Sequence, residues 1–188
     1  PVLIMLGIFI QRQIFPFGSN SFLRTDMYHQ YAPFMNEFME KLKTGGSLAY
    51  SWNIGLGSNF VALYAYYLAS PLNWLAFFVP QSLMIEFLSY MVILKIGLCG
   101  LTFCYYLSRH FKTRDLGLSF FAVFYALSAY MAAYSWNVMW LDCLVLTPLI
   151  LLGLEKLVRE NKCLLYCICL ALSIISNYYI SIMICIFL

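Results

Sequence analysis

Two carboxylate residues of this sequence have the type and setting needed for acid–base chemistry. The first, Asp26, lies in the segment Arg24-Thr25-Asp26-Met27-Tyr28-His29, where a carboxylate could take a proton from an incoming hydroxyl group. Arg24 beside it could pair with a phosphate, bidentately if the guanidinium is suitably oriented. The structural alternative for Asp26 is an N-cap, because an aspartate before a helix accepts a backbone N–H. The two roles are compatible.

The second carboxylate, Asp142, follows Trp140 and Leu141 in a segment without Lys or Arg. It is interpreted either as a solvated loop residue or as a second site acid that faces Asp26. His29 could help to bind a metal ion or an acceptor, although a histidine in an amphipathic helix is more often simply an interfacial residue.

Lys95 is unusual because it lies deep in an apolar run, about 18 Å along a helix from Leu83 at 1.5 Å per residue. An ionisable group at that depth is costly and usually points into a helical bundle. We therefore expect either a functional group or a buried ion pair, and Glu86 shares the same run. Asn177 and the two tyrosines after it also place polar groups in an apolar run, where hydrogen bonds between helices are the simplest interpretation.

The remaining residue types predict no other reactive centre. The seven cysteines include no Cys-x-x-Cys pair and no matching histidine spacing, so they are interpreted as small buried hydrophobic residues. No Ser-His-Asp arrangement, metal-ligand cluster or glycine-rich phosphate loop occurs.

The composition indicates the class of protein. The 188 residues are 63% hydrophobic and only 10% charged, whereas soluble domains have about 45–50% apolar residues. A helix needs roughly 20 apolar residues to cross a bilayer, and several such runs occur. The net charge of +3 is not arranged as a basic patch interleaved with aromatic residues, so nucleic-acid binding is not expected.

Apart from Lys95, the basic residues of the second half of the chain cluster in two short gaps between apolar runs. The first gap contains Arg109, Lys112 and Arg114, the second contains Lys156, Arg159 and Lys162, and the gap between them, 135–142, contains none. Basic loops of multi-span membrane proteins face the cytoplasm. The bias therefore predicts a multi-pass cell-membrane protein in which Asp26 and Asp142 lie on the outer side.

These features predict an all-α fold, a polytopic helical membrane bundle with a long outer first loop that carries surface helices. The predicted segments are a first helix over 1–17, the outer loop over 18–82, and spanning helices over 83–108, 116–134, 141–157 and 163–188. Within the loop, apolar residues from Tyr28 to Leu42 recur every three or four positions, which predicts an amphipathic surface helix that ends at Gly45-Gly46. Because the sequence begins and ends within apolar runs, it is interpreted as one transmembrane domain fragment of a longer protein.

The run over 60–79 is ambiguous, because it is apolar enough to span but is interrupted at Ser70-Pro71 and Asn73-Trp74. If it spanned, the next helix would run outward and would place the basic gap after it on the outer side, against the charge bias. An interfacial or re-entrant helix broken at Pro71 is therefore favoured over a spanning helix.

Five motifs occur in a fixed order along the chain: Asp26 to Phe34, Gly55 to Phe60, Tyr66 to Asn73, Met139 to Asp142, and Asn177 to Ile180. Together they resemble the bacterial YfhO family of polytopic membrane proteins over essentially the whole chain. That family is similar in layout to the GT-C class of membrane glycosyltransferases, which have an essential acidic residue in a long outer loop and a second acidic motif in the next outer loop. Asp26 and Asp142 match these two places, so the resemblance implies that both are catalytic.

The resemblance also implies that a sugar moves from a polyprenyl-phosphate donor to a cell-envelope acceptor such as lipoteichoic acid. In such an enzyme Asp26 would be the general base, and Arg24 or Lys95 would hold the donor phosphate. Trp52 would stack on a sugar or anchor the loop at the membrane interface. The first acidic motif has one Asp where some GT-C enzymes have paired acids, so a role for a divalent cation stays open.

Two other classes of function are compatible with the same sequence. A transporter or flippase for a lipid-linked or amphipathic substrate would depend on mid-membrane groups such as Lys95, Glu86 and Asn177, and Asp26 would be dispensable. A noncatalytic scaffold would need none of these residues.

Overall fold

The computed structural model describes all residues, 1–188, and the protein is mainly helical, as predicted. Nine α-helices follow one another: α1 (Val2–Gln11), α2 (Ala32–Thr44), α3 (Phe60–Leu63), α4 (Met84–His110), α5 (Gly117–Ala126), α6 (Ala129–Tyr134), α7 (Leu141–Glu160), α8 (Leu164–Ser176) and α9 (Tyr178–Phe187). Between them lie π-helices at Met27–Tyr31 and Tyr64–Leu68, 3-10 helices at Pro71–Phe78 and Gln81–Leu83, and an antiparallel pair of short strands, β1 (Tyr50–Ser51) and β2 (Ser58–Asn59).

The longest helix, α4, is the centre of the fold. It packs against α1, α5 and α7, and α7 packs in turn against α8. Gly153 allows α7 and α8 to approach closely, because a Cβ atom at this position would lie 2.5 Å from the backbone nitrogen of Tyr166. Small residues at helix interfaces permit this kind of packing in membrane proteins. Because the hydrophobic effect does not drive helices together in lipid, close packing contributes to their association.

Two helical stretches, Gln81–His110 and Gly117–Tyr134, are long and apolar enough to cross a membrane. The second is interrupted at Leu127-Ser128, where α5 ends and α6 begins. The helices α1, α8 and α9 are apolar but shorter. The predicted bundle, a first helix followed by four spanning helices, therefore stays a prediction.

The predicted amphipathic helix begins as the π-helix Met27–Tyr31, continues as α2, and ends at Gly45, whose φ of 69° is left-handed. Its apolar residues Met35 and Phe38 are buried in the main hydrophobic core, together with residues of α1 and α4. The apolar face of this helix therefore packs against the protein itself, whereas the spacing of its apolar residues predicted a helix that rests on a membrane surface.

The ambiguous run over 60–79 is not one helix in the structure. The chain leaves the π-helix at Leu68, and a 3-10 helix starts at Pro71, where the missing N–H of proline costs least. Ser70, between the two, is almost completely buried.

The last apolar run differs from the single helix predicted over 163–188. The chain folds back at Asn177, so that the hydroxyl oxygens of Ser173 and Ser181 are 2.7 Å apart. Eight residues of continuous helix would separate them by about 12 Å. The side chain of Asn177 accepts the backbone N–H of Ile180 and thereby caps α9. An asparagine cap thus starts a new helix inside a continuous apolar sequence.

Candidate functional site

A tight turn presents Asp26 at the surface. Thr25 has a φ of 47°, a conformation that is rare for a β-branched residue and costs about 1–3 kcal/mol. Its carbonyl accepts the backbone N–H groups of Tyr28 and His29 at 3.1 and 3.0 Å. Asp26 is exposed and accepts no capping hydrogen bond, so the N-cap role is not observed. The carboxylate is left available to a ligand.

A cavity of about 760 Å³ opens beside this turn. Arg12, Asn20, Arg24 and Thr25 line one side, Trp136 lines the other, and no acidic residue contributes to its wall. The planar guanidinium group of arginine can donate two parallel hydrogen bonds to phosphate oxygens, and it keeps its charge at all physiological pH values. The cavity therefore has the chemistry of a phosphate site.

Tyr31 connects the Asp26 segment to the second predicted acidic segment. Its ring stacks on Trp136, with centroids 6.4 Å apart and an interplanar angle of 8°. Its hydroxyl donates to Oδ1 of Asn137 at 2.9 Å. Burial, and then the nearby charge of Asp26, raise the pKa of this hydroxyl, which therefore remains a donor. The structure thus brings the two candidate segments into direct contact.

Asp142 lies in a buried network and does not reach the surface beside Asp26. Its Oδ2 accepts Lys95 Nζ at 2.6 Å, and its Oδ1 accepts the Ser70 hydroxyl at 2.9 Å. Lys95 is fully buried and also donates to the carbonyl of Val138 at 3.0 Å and toward the Ser70 oxygen at 3.4 Å. All three N–H groups of the ammonium are engaged, so Lys95 has no free donor for a phosphate.

The buried ion pair considered for Lys95 is therefore present, and its partner is Asp142. Glu86, which shares α4, is not the partner, and its Oε2 is buried without a hydrogen bond. The polar contact expected for Asn177 is also present, because its Nδ2 donates to the carbonyl of Tyr66 at 3.1 Å.

The model of the family described as bacterial membrane protein YfhO matches residues 1–188. The chain belongs to the YfhO family. No curated protein and no solved structure matches it. The resemblance seen in the ordered motifs is therefore confirmed, and the family assignment supports a membrane location.

Two further candidate residues of this YfhO-family chain lie apart from the arginine cavity. His29 lines a different cavity of about 520 Å³, together with Glu37, Glu40 and Asn53. Trp52 is 77% exposed in the segment between β1 and β2, and its ring meets the ring of Tyr50 edge-on at 4.9 Å. Both remain available for binding, but neither lines the arginine cavity.

The chain contains no group of three His, Cys, Asp or Glu residues close enough together to hold a metal ion.

Sequence reasoning missed three members of the site. Arg12 was given no role in the site, although Arg12 and Arg24 are the only arginines before α4, and that fact was the available signal. Ser70 was recognised only as part of a helix break. Asn137 carried no signal at all, because its importance depends on a contact with a residue 106 positions away.

Proposed function

We propose that this YfhO-family protein is a membrane glycosyltransferase that moves a sugar from a polyprenyl-phosphate donor to a cell-envelope acceptor such as lipoteichoic acid. One observation carries the proposal: Asp26 is exposed and unpaired, and the two residues before it line a cavity with two arginines and no acid. A base next to a phosphate site is the arrangement that transfer from a sugar phosphate requires.

In the proposed reaction, Asp26 removes the proton from an acceptor hydroxyl as the oxygen attacks the anomeric carbon. The bond between that carbon and the phosphate oxygen breaks, and the polyprenyl phosphate leaves with the bonding electrons. Arg12 and Arg24 stabilise the negative charge that develops on the leaving phosphate. A single displacement inverts the anomeric configuration, as in inverting glycosidases.

The buried network has a positioning role in this proposal. Lys95 holds the carbonyl of Val138, and the neighbouring Asn137 and Trp136 contact Tyr31. The ion pair between Lys95 and Asp142 thereby fixes the wall of the arginine cavity opposite Arg24. Asp142 acts through this support, and the pair itself does not touch the substrate.

In the proposed orientation, which the charge bias favours, this site lies on the outer face of the cell membrane and the basic ends of α4 and α7 lie in the cytoplasm. A lipid-linked donor would reach the cavity from the outer leaflet. The envelope polymer would approach from outside, near His29 and Trp52, which are both exposed.

The proposal is tested by Asp26→Asn, with Asp115→Asn as a matched control at an exposed position outside the site. General-base catalysis contributes about 10²–10⁴-fold in rate, so we expect the first variant to lose sugar transfer by that factor and the control to retain it. Transfer to the envelope polymer is measured in cells with equal levels of each protein. Full transfer by Asp26→Asn would refute the role of Asp26.

Arg12→Gln and Arg24→Gln separate phosphate binding from proton removal. Each is expected to raise KM for the lipid-linked donor and also to lower kcat, because the arginines bind the phosphate in the ground state and stabilise its developing charge in the transition state. Asp26→Asn is expected to lower kcat with little change in KM.

The second candidate function is transport of a lipid-linked substrate, and the buried pair of Lys95 and Asp142 favours it. Ionisable residues inside membranes often mark translocation paths. Transport predicts that Lys95→Met abolishes movement of the lipid across the membrane and that Asp26→Asn has no effect. Sugar transfer predicts that Asp26→Asn abolishes activity, so this variant distinguishes the two functions, whereas Lys95→Met would impair both.

A further inference from the structure

A second cavity, of about 780 Å³, lies between the ends of α4 and α7 that the charge bias assigns to the cytoplasm. The two basic gaps of the sequence, which are separated by more than 40 residues, both contribute to its wall. Its five cationic residues are Arg109, Lys112, Arg114, Lys156 and Arg159.

The two acids of this cavity already have other partners. Glu155 Oε1 is 2.6 Å from His110 Nδ1 and accepts the Tyr106 hydroxyl at 3.0 Å, while its Oε2 is 3.9 Å from Arg159. Glu160 pairs with Lys162 at 2.9 Å.

Four cations of the wall therefore have no carboxylate partner. They are Arg109, Lys112, Arg114 and Lys156. Arg109 is held over the ring of Tyr105, with its Cζ 5.2 Å from the centroid. Like charges in one concave space repel one another, and a bound anion relieves that repulsion.

An apolar groove of about 520 Å³ adjoins the same end of α4. It lies between α4 and α5 and is lined only by hydrophobic side chains, among them Phe111, the residue before Lys112. The protein therefore offers an apolar surface next to the chain segment that supplies the cations. This combination suits an amphipathic phosphate compound.

We propose that the basic cavity binds a phosphate-bearing anion, either the headgroup of an anionic phospholipid of the inner leaflet or a soluble phosphate compound. Lys and Arg near a membrane surface attract anionic lipids, and basic pockets between helices on the cytoplasmic side recognise their headgroups. The arginines supply bidentate hydrogen bonds to phosphate oxygens, and the lysines supply point charge.

The test compares the wild-type protein with Lys112→Gln/Lys156→Gln, which removes one cation from each contributing segment. The control, Lys41→Gln/Lys43→Gln, removes the same net charge from α2, where neither residue lines the cavity or pairs with one of its acids. Each purified protein is titrated in neutral micelles with phosphatidylglycerol, with phosphatidylcholine, and separately with inorganic pyrophosphate. Binding is measured by the shift in unfolding temperature and by native mass spectrometry.

Each cation contributes about 1 kcal/mol to attraction of an anionic lipid, so two correspond to roughly 30-fold weaker binding by the cavity variant. The control is expected to bind like the wild type. A response to phosphatidylglycerol alone identifies the lipid headgroup as the ligand, and a saturable response to pyrophosphate identifies a soluble phosphate compound.

Thr113→Glu is a second variant that keeps all the cations and adds a negative charge at an exposed position in the cavity wall. It is also expected to weaken binding. Equal losses in the cavity variant and its control, or no binding of either phosphate probe by the wild type, would overturn the proposal.

Discussion

The hydroxyl of Tyr31 donates a hydrogen bond of 2.9 Å to Oδ1 of Asn137, across 106 positions of the sequence. Both residues are buried, at 7% and 2% exposure, and the amide nitrogen of Asn137 has no partner. This single bond joins the segment that contains Asp26 to the segment that precedes α7. The position of the arginine cavity between the two segments therefore depends on it.

We predict that Tyr31→Phe destabilises the protein by about 1–3 kcal/mol, because it leaves the buried oxygen of Asn137 unpaired. Sugar transfer should fall as well, since the two walls of the cavity lose their link. Thermal unfolding in detergent and the transfer assay measure the two effects. Tyr28→Phe is the matched control, because Tyr28 is exposed. An unfolding temperature equal to that of the wild type would show that this bond contributes nothing.

The buried ion pair should respond unequally to single and double replacement. Removing one partner leaves an uncompensated buried charge, so Lys95→Met and Asp142→Leu should each cost about 3–5 kcal/mol. The double variant should be more stable than the sum of these losses predicts, because no isolated charge remains. Thermal unfolding of the wild type, the two single variants and the double variant gives the coupling energy between the two residues. Lys162→Met, which breaks an exposed pair, should leave stability unchanged, and additive losses at Lys95 and Asp142 would contradict a paired network.

Gly153 provides a test of the packing between α7 and α8. Gly153→Ala places a methyl group against the backbone of Tyr166, where no side chain can rotate away, and overpacking of this kind costs about 1–3 kcal/mol. Gly7→Ala in α1 meets no atom within 4 Å and should stabilise the helix by up to about 1 kcal/mol. Opposite shifts in unfolding temperature are expected. Equal shifts would indicate that the two helices are further apart than the structure has them.

We predict that acid destabilises the protein because it protonates Glu37. Burial opposes its ionisation, but hydrogen bonds from Ser51, Asn53 and Lys41 outweigh that effect and lower its pKa. A lowered folded-state pKa contributes stability above the unfolded value, about 4.3, that is lost as pH falls through the folded value. The unfolding temperature should therefore decrease at pH values below about 4.3, which is the pKa of glutamate in the unfolded chain.

Glu37→Gln isolates this contribution. The variant should be less stable than the wild type at pH 7 and should lose less on acidification, which unfolding scans at pH 7, 5 and 3.5 would detect. Glu40→Gln, on the exposed side of α2, should keep the acid sensitivity of the wild type. The same acid sensitivity in Glu37→Gln would assign the effect to another group.

Local patterns in the sequence predicted much of the fold. The spacing from Tyr28 to Leu42 predicted the amphipathic helix, Gly45 its end, and Pro71 the interruption of the next apolar run. These features depend on neighbouring residues and on backbone geometry, which the sequence displays directly. The basic gaps likewise predicted which ends of the helices carry the cations.

Features that depend on distant contacts were less accessible. The depth of Lys95 predicted a buried partner, but the choice of Asp142 over Glu86 depends on how α4 packs against α7. The change of chain direction at Asn177 could not be predicted because the apolar sequence continues on both sides, and only the asparagine cap indicates it. The role of Arg12 appears only when the segment after α1 folds beside Arg24.

The 47-residue separation of Lys95 and Asp142 also constrains how the protein enters a membrane. At about 5–20 residues per second, a ribosome needs roughly 2 to 9 s to extend the chain from one to the other. Throughout that interval the nascent α4 carries an ammonium without its counter-charge, at a cost of about 2.5–3.5 kcal/mol at a bilayer centre. We therefore expect α4 to remain bound at the translocon until α7 has left the ribosome, so that the two helices enter the lipid together.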